Sequence, residues 1–353
     1  MLELHSPAGA FDRVEAYLRE RGFFAPGGES LVADLYLGYG LSAPLRRRTG
    51  AAQPEPCPLP LAAVAVRDTS RGLSPGLSPG QGSSGRVSIG HWDRTWAESD
   101  YAEGVEAVRE AIGRGDVYQV NLVQHLSADF EGEPAALAAR LASFRPRLLS
   151  GDGWAIVSAS PEIFLSRRGS TVRTEPIKGT RPLGEHIEGE KDAAEHVMIV
   201  DLERNDLSRI CVPGSVRWPE LMTERELAGV THLVSTVEGT LREDIGLAKL
   251  LEATFPGGSV TGAPKIAALD LIAALEPVGR GASMGALGTV RGNGDLDLSL
   301  TIRTFSIADG RLHLWVGGGV VWDSEPEAEI AESWTKAEPL LAAIGAPVEA
   351  ARR

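Results

Sequence analysis

The sequence predicts a mixed α/β protein in which hairpins, rather than a regular strand–helix–strand alternation, join most of the strands. Strand-like segments come in two groups that no helical segment interrupts: 153–158, 163–167 and 171–175, then 285–290, 296–305 and 312–316. Helical patterns lie between and after these groups, at 185–210, 247–251, 264–275 and 326–344. This order of elements differs from repeated βαβ units. With 353 residues, 43% of them hydrophobic, the chain can bury the core of one large domain or two ordinary ones.

Residues 1–90 follow a less regular pattern. We expect a short amphipathic helix at 11–21 and a buried strand at 61–66. Between 68 and 86 the tetrapeptide Leu-Ser-Pro-Gly occurs twice in succession, and a Gly/Ser-rich run follows. Such a segment cannot pack a core, so it predicts a flexible surface loop. We infer an N-terminal part at 1–90, a main unit at 91–345 and a tail at 346–353.

Charge and composition limit the partners of this chain. Its formal net charge is −13, so its surface should repel nucleic acid and anionic lipid, and an anionic substrate needs a local cationic pocket. Cys57 and Cys211 form neither a disulfide framework nor a metal cluster and are expected to be unpaired thiols. The start lacks a secretory pattern, and no apolar run reaches the roughly 20 residues that span a bilayer. These features predict a soluble cytoplasmic protein with no nucleic-acid or membrane partner.

A helix and the strand after it carry the first polar side chains of interest. Apolar residues at helical spacing predict a helix that glycines end: Tyr101, Val105, Val108 and Ile112, then Gly113 and Gly115. In a strand at 117–123, alternation places Tyr118, Val120 and Leu122 on one face. Gln119 and Asn121 then lie on the other face.

The predicted helix at 326–344 has a charged face. Glu325-Pro326 resembles a helix start, and Glu329, Glu332 and Lys336 share one side at 100° per residue. Such a face is commonly solvated and stabilised by a Glu–Lys pair. The alternative is that it borders a cleft, because the preceding Gly317-Gly318-Gly319 would let a ligand approach the backbone.

Asp192 and Glu195 form a second acidic pair, three residues apart on a predicted helix. Together with the acidic pair of the last helix, they offer the oxygen ligands that Mg²⁺ prefers. No cluster of His and Cys residues indicates zinc. A magnesium site and two solvated helix faces are both compatible with the spacing.

Arg303 lies within the predicted strand at 296–305, in which Leu298, Leu300 and Ile302 alternate toward the core and Arg303 falls on the other face. An arginine on the other face is costly unless it is paired. Its partner could be a substrate carboxylate, which suits the bidentate guanidinium, or a structural carboxylate.

Two further segments combine glycine with lysine. Residues 255–265 resemble a phosphate loop but lack the Walker spacing, because Ala263-Pro264 separates the last glycine from Lys265. The helix that begins at Pro264 can still attract an anion to its N-terminus. In Pro176-Ile177-Lys178-Gly179-Thr180, a buried Lys178 would have a lowered pKa and act as a nucleophile. A surface lysine with a buried stem is the competing interpretation.

Together these segments resemble the chorismate-utilising enzyme family, which comprises anthranilate and aminodeoxychorismate synthase components I, isochorismate synthases and salicylate synthases. The resemblance runs from about Tyr101 to Leu341. It rests on GDVYQVNLVQ (115–124), SPEIFL (160–165), EPIKGTRPLGE (175–185), EHVMIVDLERNDLSRI (195–210), HLVSTVEG (232–239), FPGGSVTGAPK (255–265), MGALGT (284–289), LSLTIRT (298–304) and VGGGVVWDSEPEAEIAESWTKA (316–337). It implies two large antiparallel sheets flanked by helices, with the site in a cleft between them. Residues 1–90 are then a shortened N-terminal part, and 91–345 the chorismate-binding catalytic core.

The resemblance also implies roles for individual residues. Glu162 matches the general acid of the family, which protonates the departing C4 hydroxyl of chorismate. Glu195, Glu329 and Glu332 match a Mg²⁺ site, with Asp192 in the place of an outer carboxylate. Arg303 and the backbone of Gly317, Gly318 and Gly319 match the positions that bind the enolpyruvyl carboxylate. Five residues match further positions of the substrate pocket: Gln119, Thr180, His232, Thr261 and Lys336.

Two positions separate the branches of the family. Gln119 stands where members that add water carry a lysine base, and an amide cannot deprotonate water, whereas ammonia is already a nucleophile. Lys178 stands where anthranilate synthases have alanine and aminodeoxychorismate synthases have lysine. There it resembles a covalent catalyst that adds at C2 before ammonia enters at C4. The resemblance thus implies a transferase that makes 4-amino-4-deoxychorismate for para-aminobenzoate, folate or related biosynthesis. An anthranilate synthase and a non-catalytic chorismate-binding subunit are the alternatives.

The chain departs from the family pattern in three ways. The tryptophan-pocket signature Leu-Leu-Glu-Ser is absent, which puts tryptophan binding in doubt. Ser283 stands where many members have an aromatic residue. Neither cysteine has the surroundings of a glutaminase nucleophile, so ammonia is expected from a separate glutamine amidotransferase subunit or from solution.

Overall fold

The computed structural model describes residues 1–48, 53–71, 85–182, 190–227 and 230–346. Its helices are α1 (Ala10–Arg19), α2 (Glu98–Gly113), α3 (Pro134–Arg140), α4 (Glu190–Ser208), α5 (Leu247–Thr254), α6 (Lys265–Leu275) and α7 (Pro326–Ile344). Its strands are β1 (Leu2–Leu4), β2 (Leu31–Leu37), β3 (Ala62–Asp68), β4 (Ser88–Arg94), β5 (Gln119–Glu131), β6 (Arg147–Ser150), β7 (Trp154–Ser158), β8 (Ile163–Arg168), β9 (Thr171–Glu175), β10 (Ile177–Pro182), β11 (Arg217–Leu227), β12 (Val230–Thr240), β13 (Gly262–Ala263), β14 (Ala286–Arg291), β15 (Leu296–Leu300), β16 (Thr304–Ala308) and β17 (Arg311–Val320).

These strands form two antiparallel sheets. The larger, ten-stranded sheet has the order β1-β3-β2-β14-β15-β8-β9-β12-β10, with β11 paired to β12. The smaller, seven-stranded sheet has the order β13-β5-β17-β16-β7-β6, with β4 paired to β5. The prediction of two large antiparallel sheets flanked by helices is therefore confirmed.

The hydrophobic pattern explains how the helices pack on the sheets. Helices α2 and α6 cover the face of β5 that carries Val120 and Leu122, as the alternation predicts. Tyr118, predicted on the same face, instead precedes β5 and is 68% exposed. Helix α7 buries Trp334 and Leu341 against the smaller sheet. Gln119 is therefore left on the opposite face of β5, toward the space between the sheets.

The predicted strand at 296–305 is wrong, because the chain changes sheets within it. Strand β15 pairs with β8 in the larger sheet, whereas β16 pairs with β7 in the smaller one. The connection from β7 to β8 also passes between the sheets, from the smaller sheet to the larger one. The two passages lie side by side: Ala159 N donates to Arg303 O at 3.0 Å, and Leu300 N donates to Glu162 O at 3.0 Å. Since Arg303 has φ of 50°, strand alternation does not set the direction of its side chain.

The N-terminal part joins the larger sheet. The predicted helix and strand correspond to α1 and β3, and β2 pairs with β14 of the main unit. Residues 72–84 of the predicted loop and 347–353 of the tail lie outside the described residues. The boundary at residue 90 stays a prediction.

Candidate active site

Glu162 and Arg303 lie at the two passages between the sheets. Glu162 is 5% exposed, and its Oε1 accepts hydrogen bonds from Ser259 Oγ at 2.7 Å and from Ile177 N at 3.4 Å. Burial raises the pKa of Glu162, while Lys178 and, more weakly, Arg303 oppose the shift. This carboxyl therefore keeps its proton to higher pH than an exposed glutamate, as a general acid requires.

Lys178, on β10, lies beside Glu162 and forms an ion pair with a carboxylate of α4. Its side chain is 14% exposed, and its Nζ lies 3.0 Å from Glu195 Oε1. The expected fall in its pKa is wrong for this arrangement. Burial lowers the pKa of Lys178, but the charges of Glu195 and Glu162 outweigh burial and raise it. Burial likewise raises the pKa of Glu195, but Lys178 reverses that effect and lowers it.

Gln119 approaches the same carboxylate from β5. It is 1% exposed, and its Nε2 donates to Glu195 Oε1 at 2.7 Å. The orientation of the Gln119 amide is set by its partner, because the flipped amide would place its oxygen against the carboxylate oxygen of Glu195. Within the described part of the chain, the buried Oε1 of Gln119 has no hydrogen-bond partner. Such a buried acceptor without a donor is uncommon in folded proteins.

The charged face of α7 borders the glycine stretch of β17. A Cβ on Gly318 would lie 3.2 Å from Lys336 Nζ, 3.3 Å from Glu329 Oε2 and 3.4 Å from Glu332 Oε1. Lys336 Nζ also lies 2.7 Å from Glu332 Oε1 and donates to Gly317 O at 3.0 Å. Both interpretations of this face are thus partly right: it contains a Glu–Lys pair and it lines the glycine strand.

Gly319 makes room for the contact between β5 and α4. A Cβ at this position would lie 2.0 Å from Gln119 Nε2 and 2.8 Å from Glu195 Oε1. The absent side chain therefore lets the two polar groups meet above the strand. Since Gly318 faces Glu329 and Glu332, three carboxylates approach neighbouring residues of one glycine strand.

The donor chemistry of these carboxylates fits a hard cation such as Mg²⁺. In the described residues, however, no group of three or more His, Cys, Asp or Glu side chains is close enough to hold a metal ion. Glu195 and Glu332 instead face the ammonium groups of Lys178 and Lys336. The side chain of Asp192 lies outside the described part, so its role stays a prediction.

The remaining predicted pocket residues have mixed surroundings. His232 is 1% exposed and its Nδ1 lies 3.4 Å from Gly179 O, at the bulge where β10 pairs with β12. Burial lowers the pKa of His232. Thr261 is 0% exposed, and its hydroxyl donates to Gly257 O at 3.0 Å, so it closes the loop in this structure. The side chain of Thr180 lies outside the described residues.

Sequence reasoning missed Ser259, which donates to Glu162. Ser259 lies in the glycine-rich segment 255–265, and this position could have indicated its role. The segment was instead interpreted as an anion-binding loop that ends in Lys265. Lys265 Nζ lies 2.5 Å from Asp206 Oδ2, so it forms an ion pair with α4. Ser283 is 1% exposed, and its backbone N donates to Arg280 O at 2.8 Å.

Cys57 and Cys211 are both buried free thiols, as expected. In the described ranges, no helix combines the length and apolar character needed to cross a membrane.

Comparisons with known proteins agree with this geometry. The model of the chorismate binding enzyme family matches residues 55–342. The chain is 40% identical over 269 residues to anthranilate synthase component 1 of Streptomyces coelicolor, covering 72% of this chain and 53% of that protein. It is 40% identical over 266 residues to aminodeoxychorismate synthase component 1 of Salmonella typhimurium, covering 71% of this chain and 58% of that protein. The chain thus belongs to the chorismate-binding enzyme family, and it spans little more than half the length of these curated relatives.

A solved structure supports the same assignment. Anthranilate synthase component I from Streptococcus pneumoniae superposes with a TM-score of 0.77 at 26% identity, covering 92% of this chain and 84% of that chain. The equal identity to the two kinds of synthase means that overall similarity does not select between their reactions.

Proposed function

We propose that this protein aminates chorismate at C4 with ammonia to give 4-amino-4-deoxychorismate, through a covalent bond to Lys178. The observation that carries the proposal is the position of Lys178. Its largely buried amine lies 3.0 Å from Glu195, and its charge acts on the buried carboxyl group of Glu162. A nucleophile and a proton donor are thus close enough to act on one substrate.

The proposed reaction consists of two successive substitutions on the chorismate ring. Glu162 gives its proton to the C4 hydroxyl, which leaves as water, while the unprotonated Lys178 nitrogen bonds to C2 and the ring double bonds shift. Ammonia then bonds to C4, the double bonds shift back and the lysine nitrogen leaves C2 as the free amine, while the new C4 ammonium gives up one proton, which restores Glu162. The enolpyruvyl group is retained, and the sum is chorismate plus ammonia giving aminodeoxychorismate plus water. Because Glu195 stabilises the ammonium form, Lys178 must lose a proton before it attacks.

Gln119 supports ammonia rather than water as the second nucleophile. Its Nε2 donates to Glu195, and among the described residues its buried Oε1 has no hydrogen-bond partner. An amide oxygen can accept an N–H of ammonia but cannot remove a proton from water. This residue therefore orients a nucleophile that needs no general base.

We further propose that Glu195, Glu329 and Glu332 hold Mg²⁺, with Asp192 as an outer carboxylate. The bound ion would supply a counter-charge for a carboxylate of chorismate. Arg303, beside Glu162 at the passage between the sheets, is suited to the other carboxylate through its bidentate guanidinium. The backbone of Gly317–Gly319 offers close approach to the same group.

The ammonia is proposed to come from a separate glutamine amidotransferase subunit, with free ammonium as a substitute in vitro. The two relatives named above are both called component 1. A product for para-aminobenzoate and folate or related biosynthesis follows from the same proposal.

An anthranilate synthase is the competing function, and the comparisons favour it as much as the first. Incubation of the protein with chorismate, Mg²⁺ and ammonium separates the two. We expect a non-aromatic product whose mass retains the enolpyruvyl group. Direct release of fluorescent anthranilate without a lyase would refute C4 amination, and no conversion beyond that in buffer would favour a non-catalytic subunit.

Lys178→Ala tests the covalent step. We expect chorismate binding to persist, because the variant keeps the carboxylates and Arg303, while formation of the C4 amine falls at least a hundredfold. Isothermal titration and product chromatography measure the two effects. Lys249→Ala, at an exposed lysine of α5, is the control and should match the parent protein. Unchanged C4 amination in Lys178→Ala would show that the lysine has a structural role only.

A further inference from the structure

One buried carboxyl group near Glu162 has no part in the proposed chemistry. Glu203, on α4, is 7% exposed, and its Oε2 accepts a hydrogen bond from Thr174 Oγ1 of β9 at 2.8 Å. It packs beneath Gly258, where a Cβ would lie 3.5 Å from Glu203 Cγ. The next residue, Ser259, donates to the acid Glu162 at 2.7 Å. Two buried carboxyl groups therefore lie on either side of one short segment.

The cations near Glu203 are engaged by other carboxylates. Lys265 of α6 lies 2.5 Å from Asp206, which is on the same helix as Glu203. Lys178 of β10 lies 3.0 Å from Glu195. In the described ranges, Glu203 forms no ion pair, and the hydroxyl of Thr174 is a neutral partner. A carboxylate buried without a cation is costly, so Glu203 favours its protonated form.

The electrostatics of Glu203 agree with its packing. Burial raises the pKa of Glu203 to about 8; Thr174 and Lys265 oppose this, and the charges of Glu162 and Asp206 add to it. Two carboxyl groups in one dry region cannot both ionise readily, so an ionised Glu162 disfavours the ionisation of Glu203.

Several groups that face Glu162 lower its pKa. Lys178 and Arg303 favour its ionised form, and so does the hydroxyl of Ser259. These groups work against an acid that must hold a proton before each turnover. A negative charge at Glu203 acts in the opposite direction.

We propose that Glu203 is a positioning residue that acts through Glu162: the two buried carboxyl groups hold one proton between them, and this keeps the acid supplied as the solution becomes alkaline. The inference rests on the proposed function, because it takes Glu162 as the acid that acts on chorismate. It adds a residue that touches neither substrate nor metal. The proton passes to the C4 hydroxyl from Glu162 alone, and the pair regains a proton from solvent afterwards.

The pH profile of chorismate consumption tests this role. With free ammonia held constant and saturating, kcat/KM for chorismate should fall on the alkaline side with an apparent pKa near the value of about 8 for Glu203. In Glu203→Gln and Glu203→Leu, Glu162 titrates alone. We expect the alkaline fall to begin at least one pH unit lower, with about a tenfold loss at pH 8 and little loss at pH 6. In Thr174→Val, which removes a donor to ionised Glu203, the fall should move to higher pH.

Two controls separate charge from structure. Asp201→Asn removes a charge from the exposed side of the same helix and should leave the profile unchanged. Infrared spectra at neutral pH should show a protonated buried carboxylic acid that Glu203→Gln lacks. An unchanged alkaline limb in both Glu203 variants would overturn the proposal, as would a missing infrared band. Since neither readout depends on which product forms, a failure of C4 amination would not be mistaken for a failure of this inference.

Discussion

Replacing Arg280 by methionine should lower the free energy of unfolding by about 3–5 kcal/mol, the usual effect of removing one partner of a buried ion pair. The side chain of Arg280 is 1% exposed, and it donates to both carboxylate oxygens of Glu276, at 2.8 Å and 2.7 Å. It also donates to Val260 O at 2.9 Å and to Asn121 O at 2.6 Å. The guanidinium thereby ties the end of α6 to β5 and to the segment before β13. In Arg280→Met, a buried carboxylate would face no cation and two carbonyls would lose their donors.

Urea unfolding followed by tryptophan fluorescence and by circular dichroism measures this loss. An unchanged m-value would show that the variant alters stability rather than the compactness of either state. Arg204→Met is the matched control, because Arg204 pairs with Asp201 on an exposed surface and should cost at most about 1 kcal/mol. A double variant with Glu276→Leu should recover part of the loss, since no unpaired charge remains buried. A loss below about 1 kcal/mol in the single variant would refute this account of the pair.

Two further predictions concern the smaller sheet and the glycine strand. His125 and His313 are buried with Nε2 and Nδ1 3.0 Å apart, and burial lowers their pKa values to about 3 and about 4. Both folded pKa values lie below the unfolded value of about 6.5, so the stabilisation by the two neutral imidazoles is complete above that pH. As the pH falls below about 6.5, the free energy of unfolding should decrease by about 1.4 kcal/mol per pH unit for each imidazole, until its folded pKa is reached. His125→Gln should flatten this dependence in unfolding experiments at pH 5–7, and an equal slope would contradict it. Gly319→Ala should reduce kcat/KM for chorismate at least tenfold with little change in melting temperature, because its Cβ would displace the flexible ends of Gln119 and Glu195 rather than backbone; unchanged kinetics would show that their contact is dispensable.

Local patterns in the sequence were sufficient for many of the elements. The apolar periodicity of 326–344 predicted α7 and placed Glu329, Glu332 and Lys336 on one side of it, as observed. Short alternating segments predicted β8 and β9 for the same reason. Periodicity is a property of neighbouring residues, so it can be recognised in the sequence without knowledge of the fold.

Elements that face the polar interior of the cleft lack this periodicity. Strand β12 was not predicted, because it buries Thr231, His232, Ser235, Thr236 and Glu238 rather than alternating apolar residues. The strand predicted at 296–305 contains the change of sheet that brings Arg303 beside Glu162. Which sheet a strand joins depends on partners far away in the sequence, and no local pattern records them.

The sequence by itself determined the family resemblance, the antiparallel class of fold that it implies and the identity of the acid, lysine and amide that define the proposed reaction. Only the tertiary structure decided how these groups influence one another. Lys178 was expected to have a lowered pKa, yet Glu195 and Glu162 raise it. Glu203 drew no attention in the sequence, yet burial, together with the charges of Glu162 and Asp206, raises its pKa to about 8. A pKa depends on which charges share a dry region, and folding assembles that region from α4, β10 and the connection that precedes β8.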